Sequence, residues 1–134
     1  MTNVERVKEY LDKCRMFFVS TVDGDRPRNR PFGFKVIYDD KLFFGVGTFK
    51  DCYKQMIANP NVEISASDGN GFLRYYGKAV FVEDEELTKA AFEAAPNLTR
   101  IYNDETGYTL GLFYLTDATA EFRSLFAVEE SLEM

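Results

Sequence analysis

Residues 26–60, RPRNRPFGFKVIYDDKLFFGVGTFKDCYKQMIANP, gather the side chains best suited to chemistry. Arg28 and Arg30 stand on a predicted strand, and Thr48 and Lys50 open a predicted helix. Guanidinium, ammonium, hydroxyl and backbone N–H groups can meet at one point in that layout. Such a point suits a phosphate monoester. Arginine grips two oxygens at once, lysine adds a point charge, and a helix N-terminus offers unpaired donors and the positive end of a dipole. The chain has a net charge of −6, so a local cationic cluster reads as a site for one anion, not as a polyanion surface. The same four residues also fit an ordinary solvated surface, and their types alone leave both readings open. Gly45-Val46-Gly47 allows close backbone approach to a ligand, and equally fits a plain strand-to-helix turn. The spacing of a P-loop is missing.

An aromatic set lies nearby: Phe32, Phe34, Phe43, Phe44, Phe72, Tyr75 and Tyr76. Strand alternation puts Phe32 and Phe34 on one face with Arg30. An aromatic wall beside a phosphate grip suits a flat ring with a phosphorylated tail; barrel core is the alternative for most of these rings. Tyr102, Tyr108 and Tyr114 offer hydroxyls, but none is marked out as a catalyst. Cys52, in the first turn of a helix, is either a reactive thiol or a buried inert one. The carboxylate runs Asp84-Glu85-Glu86 and Glu129-Glu130 read as a helix start and a solvated tail. The chain has no histidine, which excludes a histidine-dependent triad, histidine-ligated zinc and a histidine haem ligand.

At 134 residues the expectation is one domain spanning 1–134. Phe and Tyr number 13 and 8 with no Trp, an excess that leans towards strands. The acidic balance argues against nucleic-acid and anionic-membrane partners. Cys14 and Cys52 fall in two different predicted helices and do not make a disulfide framework. The N-terminus, MTNVERVKEYLDK, is charged throughout, unlike a signal peptide. No apolar run is long enough to span a bilayer. The expected location is cytoplasmic.

The positioning elements follow from periodicity. Thr2 and Glu5 have capping-box spacing, and Val4, Val7, Tyr10, Leu11 and Cys14 mark a helix over 3–14. Strands are predicted over 16–22 and 28–38 around a turn at 23–25, then over 41–46 after Asp39-Asp40. A helix over 49–58 has Thr48 as N-cap and is closed by Asn59-Pro60. Strands over 62–68 and 72–82 flank Gly69-Asn70-Gly71. A helix over 83–95 carries acids in its first turns. Residues 97–107 form a polar connection with a helical turn near Leu98–Tyr102. Strands over 109–118 and 118–126 end the fold, and the acidic tail is expected to fray. Six or seven strands joined by short turns, with helices at three places, predict a mainly β fold: an antiparallel barrel with peripheral helices.

The ordered set STVDGDRPRNRPFGF, LFFGVGTFKDCYKQMIANPNVEIS, LRYYGKAVF and FYLTDATAEF resembles the pyridoxamine 5′-phosphate oxidase-related family of FMN-binding split β-barrels, its short bacterial members grouped with nitroimidazole-resistance proteins above all. The resemblance covers residues 12–126. It implies a six- to seven-stranded antiparallel split barrel and a homodimer with FMN at the subunit interface. It assigns the flavin phosphate to Arg30, Thr48 and Lys50. Pro31, Phe32, Gly33, Phe34 and Lys35 would run along the isoalloxazine, and Gly45, Val46 and Gly47 would flank the ribityl chain. The strand from Phe72 to Val82 would help form the dimer face.

True pyridoxamine-phosphate oxidases end in a tail with tryptophan, arginine and histidine, whereas this chain has no Trp or His and ends acidic. The family's flavin-contacting glutamine falls near Phe72, and the histidine of nitroimidazole-resistance members is missing. The expected activity is therefore a flavin oxidoreductase other than a vitamin B6 oxidase. Electrons would pass from a reduced nicotinamide or a protein donor to a small, flat, electron-poor molecule. Lys35 and Tyr75 are the weak acid–base candidates, and no catalytic residue is assigned. The alternatives are a non-catalytic module storing or sensing FMN or another phosphorylated ligand, and an F420-dependent protein.

Overall fold

Thr2 opens the first helix, α1 (Asn3–Cys14), through the capping box its spacing predicts. Its hydroxyl accepts from the Glu5 N–H at 3.1 Å, and its own N–H donates to the Glu5 carboxylate at 3.3 Å. The computed structural model describes residues 1–134. After α1 come β1 (Phe17–Asp23), β2 (Arg26–Phe32), β3 (Lys35–Tyr38), β4 (Lys41–Gly47), α2 (Asp51–Ala58), β5 (Asn61–Ser67), β6 (Phe72–Phe81), α3 (Glu85–Ala94), a 3-10 turn (Pro96–Arg100), β7 (Leu110–Arg123) and β8 (Val128–Glu133).

All eight strands join one antiparallel sheet in the order β2-β1-β5-β6-β7-β4-β3, with β8 on the far part of β7. The chain is mainly β, as expected, and the barrel is split. The predicted single strand over 28–38 is two strands, β2 and β3, with Gly33 and Phe34 between them. Those two strands are the opposite edges of the sheet path. Two residues can join two edges only if the sheet curls until they meet, yet no ladder forms between β2 and β3. Gly33 sits in that seam, exposed, with open space where a side chain would be.

The hairpin turns obey their residues. Gly24 (φ 64°) turns β1 into β2, and Asp39 and Asp40 (φ 51° and 57°) turn β3 into β4. Two successive positive φ values match the twist of a two-residue hairpin, and aspartate is among the few residues that tolerate them.

At the C-terminal end the structure corrects the prediction twice. The expected strand pair over 109–126 is one 14-residue strand, β7. What resembled a break at Asp117-Ala118 is a β-bulge, where those two residues oppose Gly77 of β6. Asp117 takes φ 50° there, and a side chain on Gly77 would begin 2.6 Å from the Thr116 carbonyl oxygen. The tail does not fray but pairs as β8. Leu132 and Met134 pack against the core, and Glu130 pairs with Arg6 of α1. Its exposed acids hide the alternation that makes it a strand.

Inward-facing residues of the curled sheet make the core. Phe17, Phe44 and Phe113 are fully buried, with centroids 5.5 Å apart for Phe17–Phe44 and 5.6 Å for Phe44–Phe113. Each such ring contributes about 1.5–3 kcal/mol by leaving water. Helix α1 buries Val7 and Leu11 in this cluster, and α2 buries Cys52 and Met56. Helix α3 lies elsewhere, packing Leu87 and Ala91 on Phe43 and Leu112. Cys14 and Cys52 are both free thiols. No helix is long and apolar enough to cross a membrane.

Candidate functional site

Arg30 is the centre of the site. It lies on β2 opposite Val19 of β1, and its side chain turns inward towards α2. The guanidinium donates to the Val19 carbonyl at 3.1 Å, the Thr21 hydroxyl at 2.8 Å and the Gln55 side-chain oxygen at 2.8 Å. Thr21, which is buried, also donates to Gln55 at 2.6 Å. Every partner of Arg30 is neutral, and three bonds use three of its five N–H donors. A half-buried guanidinium with neutral partners and spare donors favours an anion beside it.

Lys50 supplies the second charge. It is the N-cap of α2, it is exposed, and no side chain caps the helix start. The first N–H groups of α2 therefore have no side-chain acceptor, and the dipole adds positive potential. Neither Arg30 nor Lys50 is in any ion pair of the chain.

A cleft of about 210 Å³ brings these groups together. Eight of the eleven expected residues border it: Arg30, Pro31, Phe32, Gly33, Phe34, Gly45, Val46 and Lys50, joined by Cys52 and Tyr102. The split barrel explains the convergence. The cleft straddles the seam, so β2 and its exit approach β4 and the start of α2. Gly45 faces Phe34 and Leu110, where a Cβ would lie 3.2 Å and 3.0 Å from their side-chain carbons. Gly47 borders the same region from behind. A Cβ there would fall 2.6 Å from the Phe49 ring and 3.1 Å from the Tyr102 hydroxyl. Phe49 in turn stacks on Tyr108 at 4.0 Å, which ties the loop before β7 to the loop carrying Lys50.

Lys35 and Thr48 of the eleven stand apart, and so does Arg28 of the cationic cluster. Arg28 pairs with Asp23 at 2.9 Å on the exposed side of the hairpin. Lys35 turns to α1, where its ammonium, nearly buried, meets Asp12 at 2.7 Å. Thr48 is not the N-cap. Its N–H extends the sheet by bonding the Thr109 carbonyl at 3.0 Å, and it borders a different cleft. The N-cap is Lys50, so the helix begins at Asp51, two residues later than predicted.

Gln55 and Thr21, which orient Arg30, escape a reading by charge because they are neutral. Gln55 lies on α2 three residues after Cys52 and next to Met56, both buried, so helical spacing places it near the inward face. Burial pushes the Cys52 thiol up, against the opposing pull of the Arg30 and Lys50 charges. Burial also pushes the Tyr102 hydroxyl up. Both groups stay protonated at neutral pH, so the cleft is cationic with no carboxylate lining it. Two cations beside an apolar wall of Pro31, Phe32 and Phe34 are a lining that suits an oxyanion.

Comparison with known proteins agrees with this architecture. The family model described as pyridoxamine 5′-phosphate oxidase matches residues 4–110. No curated protein matches the chain in sequence. Among solved structures, it is similar to a NimC/NimA family protein from Clostridium acetobutylicum, with a TM-score of 0.88 and 32% identity over 98% of this chain and 92% of that one. General stress protein 26 from Bacillus anthracis shares the fold at a TM-score of 0.72 and 18% identity, with 100% of both chains covered. A pyridoxamine 5′-phosphate oxidase-related, FMN-binding protein from Nostoc punctiforme shares it at 0.64 and 15% identity, over 98% of this chain and 89% of that one. On the match over residues 4–110 and the 32% identity to a solved relative, the chain belongs to the pyridoxamine 5′-phosphate oxidase family.

Proposed function

We propose that this chain is a single flavin-binding domain that takes FMN in the Arg30–Lys50 cleft and acts as a homodimeric oxidoreductase. The observation that carries the reading is the pairing of two cations, neither in an ion pair, with an uncapped helix start in a chain of net charge −6. A phosphate dianion matches that donor set. Arg30 and Lys50 would hold the phosphate, Gly45 and Val46 would flank the ribityl chain, and the segment from Pro31 to Phe34 would border the ring. The Nostoc protein of the same fold is FMN-binding, which supports FMN as the ligand.

One chain encloses only about 210 Å³. Cofactor pockets usually hold about 300–1,000 Å³. The missing wall fits a second copy, which is the basis of the dimer in this reading. Bound flavin would supply the redox chemistry. The residues of the chain would bind and orient it: Gln55 and Thr21 fix the Arg30 plane, and the Phe49–Tyr108 stack holds the Lys50 loop. Reducing equivalents would come from a nicotinamide or a protein donor, and the acceptor would be a small electron-poor molecule.

The pressure of burial on Cys52 and Tyr102 favours a second reading, a module that binds FMN without turnover, because the cleft offers no acid or base near neutrality. A titration following flavin fluorescence and the visible spectrum tests the cofactor, with saturation at one FMN per chain expected. Steady-state oxidation of NADH or NADPH with a quinone or a nitroarene then separates enzyme from module. Turnover only with F420 would move the assignment to that cofactor, and no binding of either flavin would overturn the reading.

A further inference from the structure

The β4–α2 loop borders two clefts, since Lys50 lines the one already described and Thr48 lines another. The second cleft is larger, about 450 Å³, within the range of small-molecule sites. Its apolar lining comes from Tyr53 of α2, Phe81 and Val82 at the end of β6, and Leu110 and Leu112 of β7. Tyr53 and Phe81 meet edge to face at 4.8 Å, which gives it an aromatic corner. Gly111 keeps the space open, because a Cβ there would lie 3.1 Å from the Phe81 ring and 3.2 Å from the Thr48 methyl.

The rim has one sign of charge. Glu83, Asp84 and Glu85 border it, no arginine or lysine does, and none of the three carboxylates is in an ion pair. Asp84 is committed to capping α3, where it accepts from the Glu86 N–H at 2.8 Å and the Leu87 N–H at 3.3 Å. Glu83 and Glu85 are exposed and make no side-chain hydrogen bond. The start of α3 adds about half a positive charge, which the three carboxylates outweigh. The hydroxyls of Thr48, Thr88 and Thr109 offer further acceptors.

We propose that this cleft binds an amphipathic monocation, a primary amine carried on a flat apolar body. The apolar body would cover Tyr53, Phe81 and Leu112, where removal from water favours binding without regard to charge. The ammonium would lie between Glu83 and Glu85, and this selects a cation over its neutral or anionic analogues. The assignment does not rest on flavin binding.

The test uses 2-phenylethylamine as probe, with 2-phenylethanol and phenylacetate as the neutral and anionic comparators, against the full chain. Calorimetry and amide NMR should show one saturable amine site, with shifts at Thr88, Leu110, Gly111 and Leu112. The Glu83→Gln/Glu85→Gln variant should weaken the amine by about three- to tenfold, the scale of two surface ion pairs, and leave 2-phenylethanol unchanged. Thr88→Phe, which fills the rim, should abolish amine binding and leave the FMN titration as in the parent. Equal affinity for phenylacetate, shifts outside the cleft, an unaffected double variant or no saturation would each overturn the proposal. A failed FMN titration would leave it standing.

Discussion

Lys50 and Arg30 should differ in what they do for the protein, and that difference tests the phosphate assignment. Lys50 is exposed, unpaired and within cation–π reach only of Phe49, at 5.9 Å from its ring. Replacing it with methionine should change folding stability by no more than about 0.5 kcal/mol, as for surface positions free of special contacts. Arg30 makes three hydrogen bonds, one of them to the buried Thr21. Arg30→Met removes all three and should cost about 1–3 kcal/mol of stability. Against FMN the two should be alike. Each loses a charge-assisted bond to the phosphate, worth about 1.5–3 kcal/mol, so affinity should fall roughly ten- to a hundredfold in both. Riboflavin has no phosphate, so it supplies the control. Its affinity should be equal in the parent and in Lys50→Met. The assay is a paired fluorescence titration with FMN and riboflavin, beside a thermal melt of each variant. If Lys50→Met binds FMN like the parent, or loses FMN and riboflavin equally, the phosphate does not sit at the α2 start and the reasoning fails.

Three further outcomes are expected. Burial opposes ionisation of Asp12, but the Lys35 and Lys8 ammoniums outweigh it and hold the carboxyl below its usual range. Its folded value is depressed, so its contribution is present above the unfolded value of about 3.9 and is lost as pH falls through the folded one. Asp12→Asn should therefore melt lower than the parent at pH 7, by about 1 kcal/mol in stability because Lys35 loses its partner, and the gap should close in melts below about pH 4. Gly77→Ala should destabilise by about 1–3 kcal/mol in urea unfolding, since the new carbon starts 2.6 Å from a backbone oxygen at the bulge; an unchanged midpoint would mean the bulge relaxes freely. Sedimentation at micromolar concentration should give twice the 15.4 kDa chain mass, and a monomer would remove the second wall of the proposed flavin site.

Much of this molecule is readable from local pattern alone. The capping box at Thr2 and Glu5, the apolar, β-branched run of β1, the alternation of β5, the helix stop at Asn59-Pro60 and the acidic start of α3 each depend on neighbours within a few residues. Their signals are local, although the strands form only by pairing with partners elsewhere in the sheet. The cationic cluster was legible for a similar reason, because basic side chains beside glycines and a predicted helix start are a pattern of residue types.

Competition between partners far apart in sequence is what the chain alone does not reveal. Arg28, Arg30 and Lys35 look equivalent on paper. Asp23 takes the first and Asp12 the third, while neutral Gln55 and Thr21 hold the second and leave its charge available. Thr48 has the side chain of an N-cap, but its N–H pairs with Thr109, 61 positions on, and the helix starts only after Lys50. The acidic tail became β8 because the exposed edge of β7 offered unpaired backbone groups and its ladder satisfied them. Composition and periodicity determined that this is a mainly β chain with a cluster of cations around one strand-to-helix segment. The curl of the sheet, closing on itself across Gly33 and Phe34, decided which of its cations face the cleft.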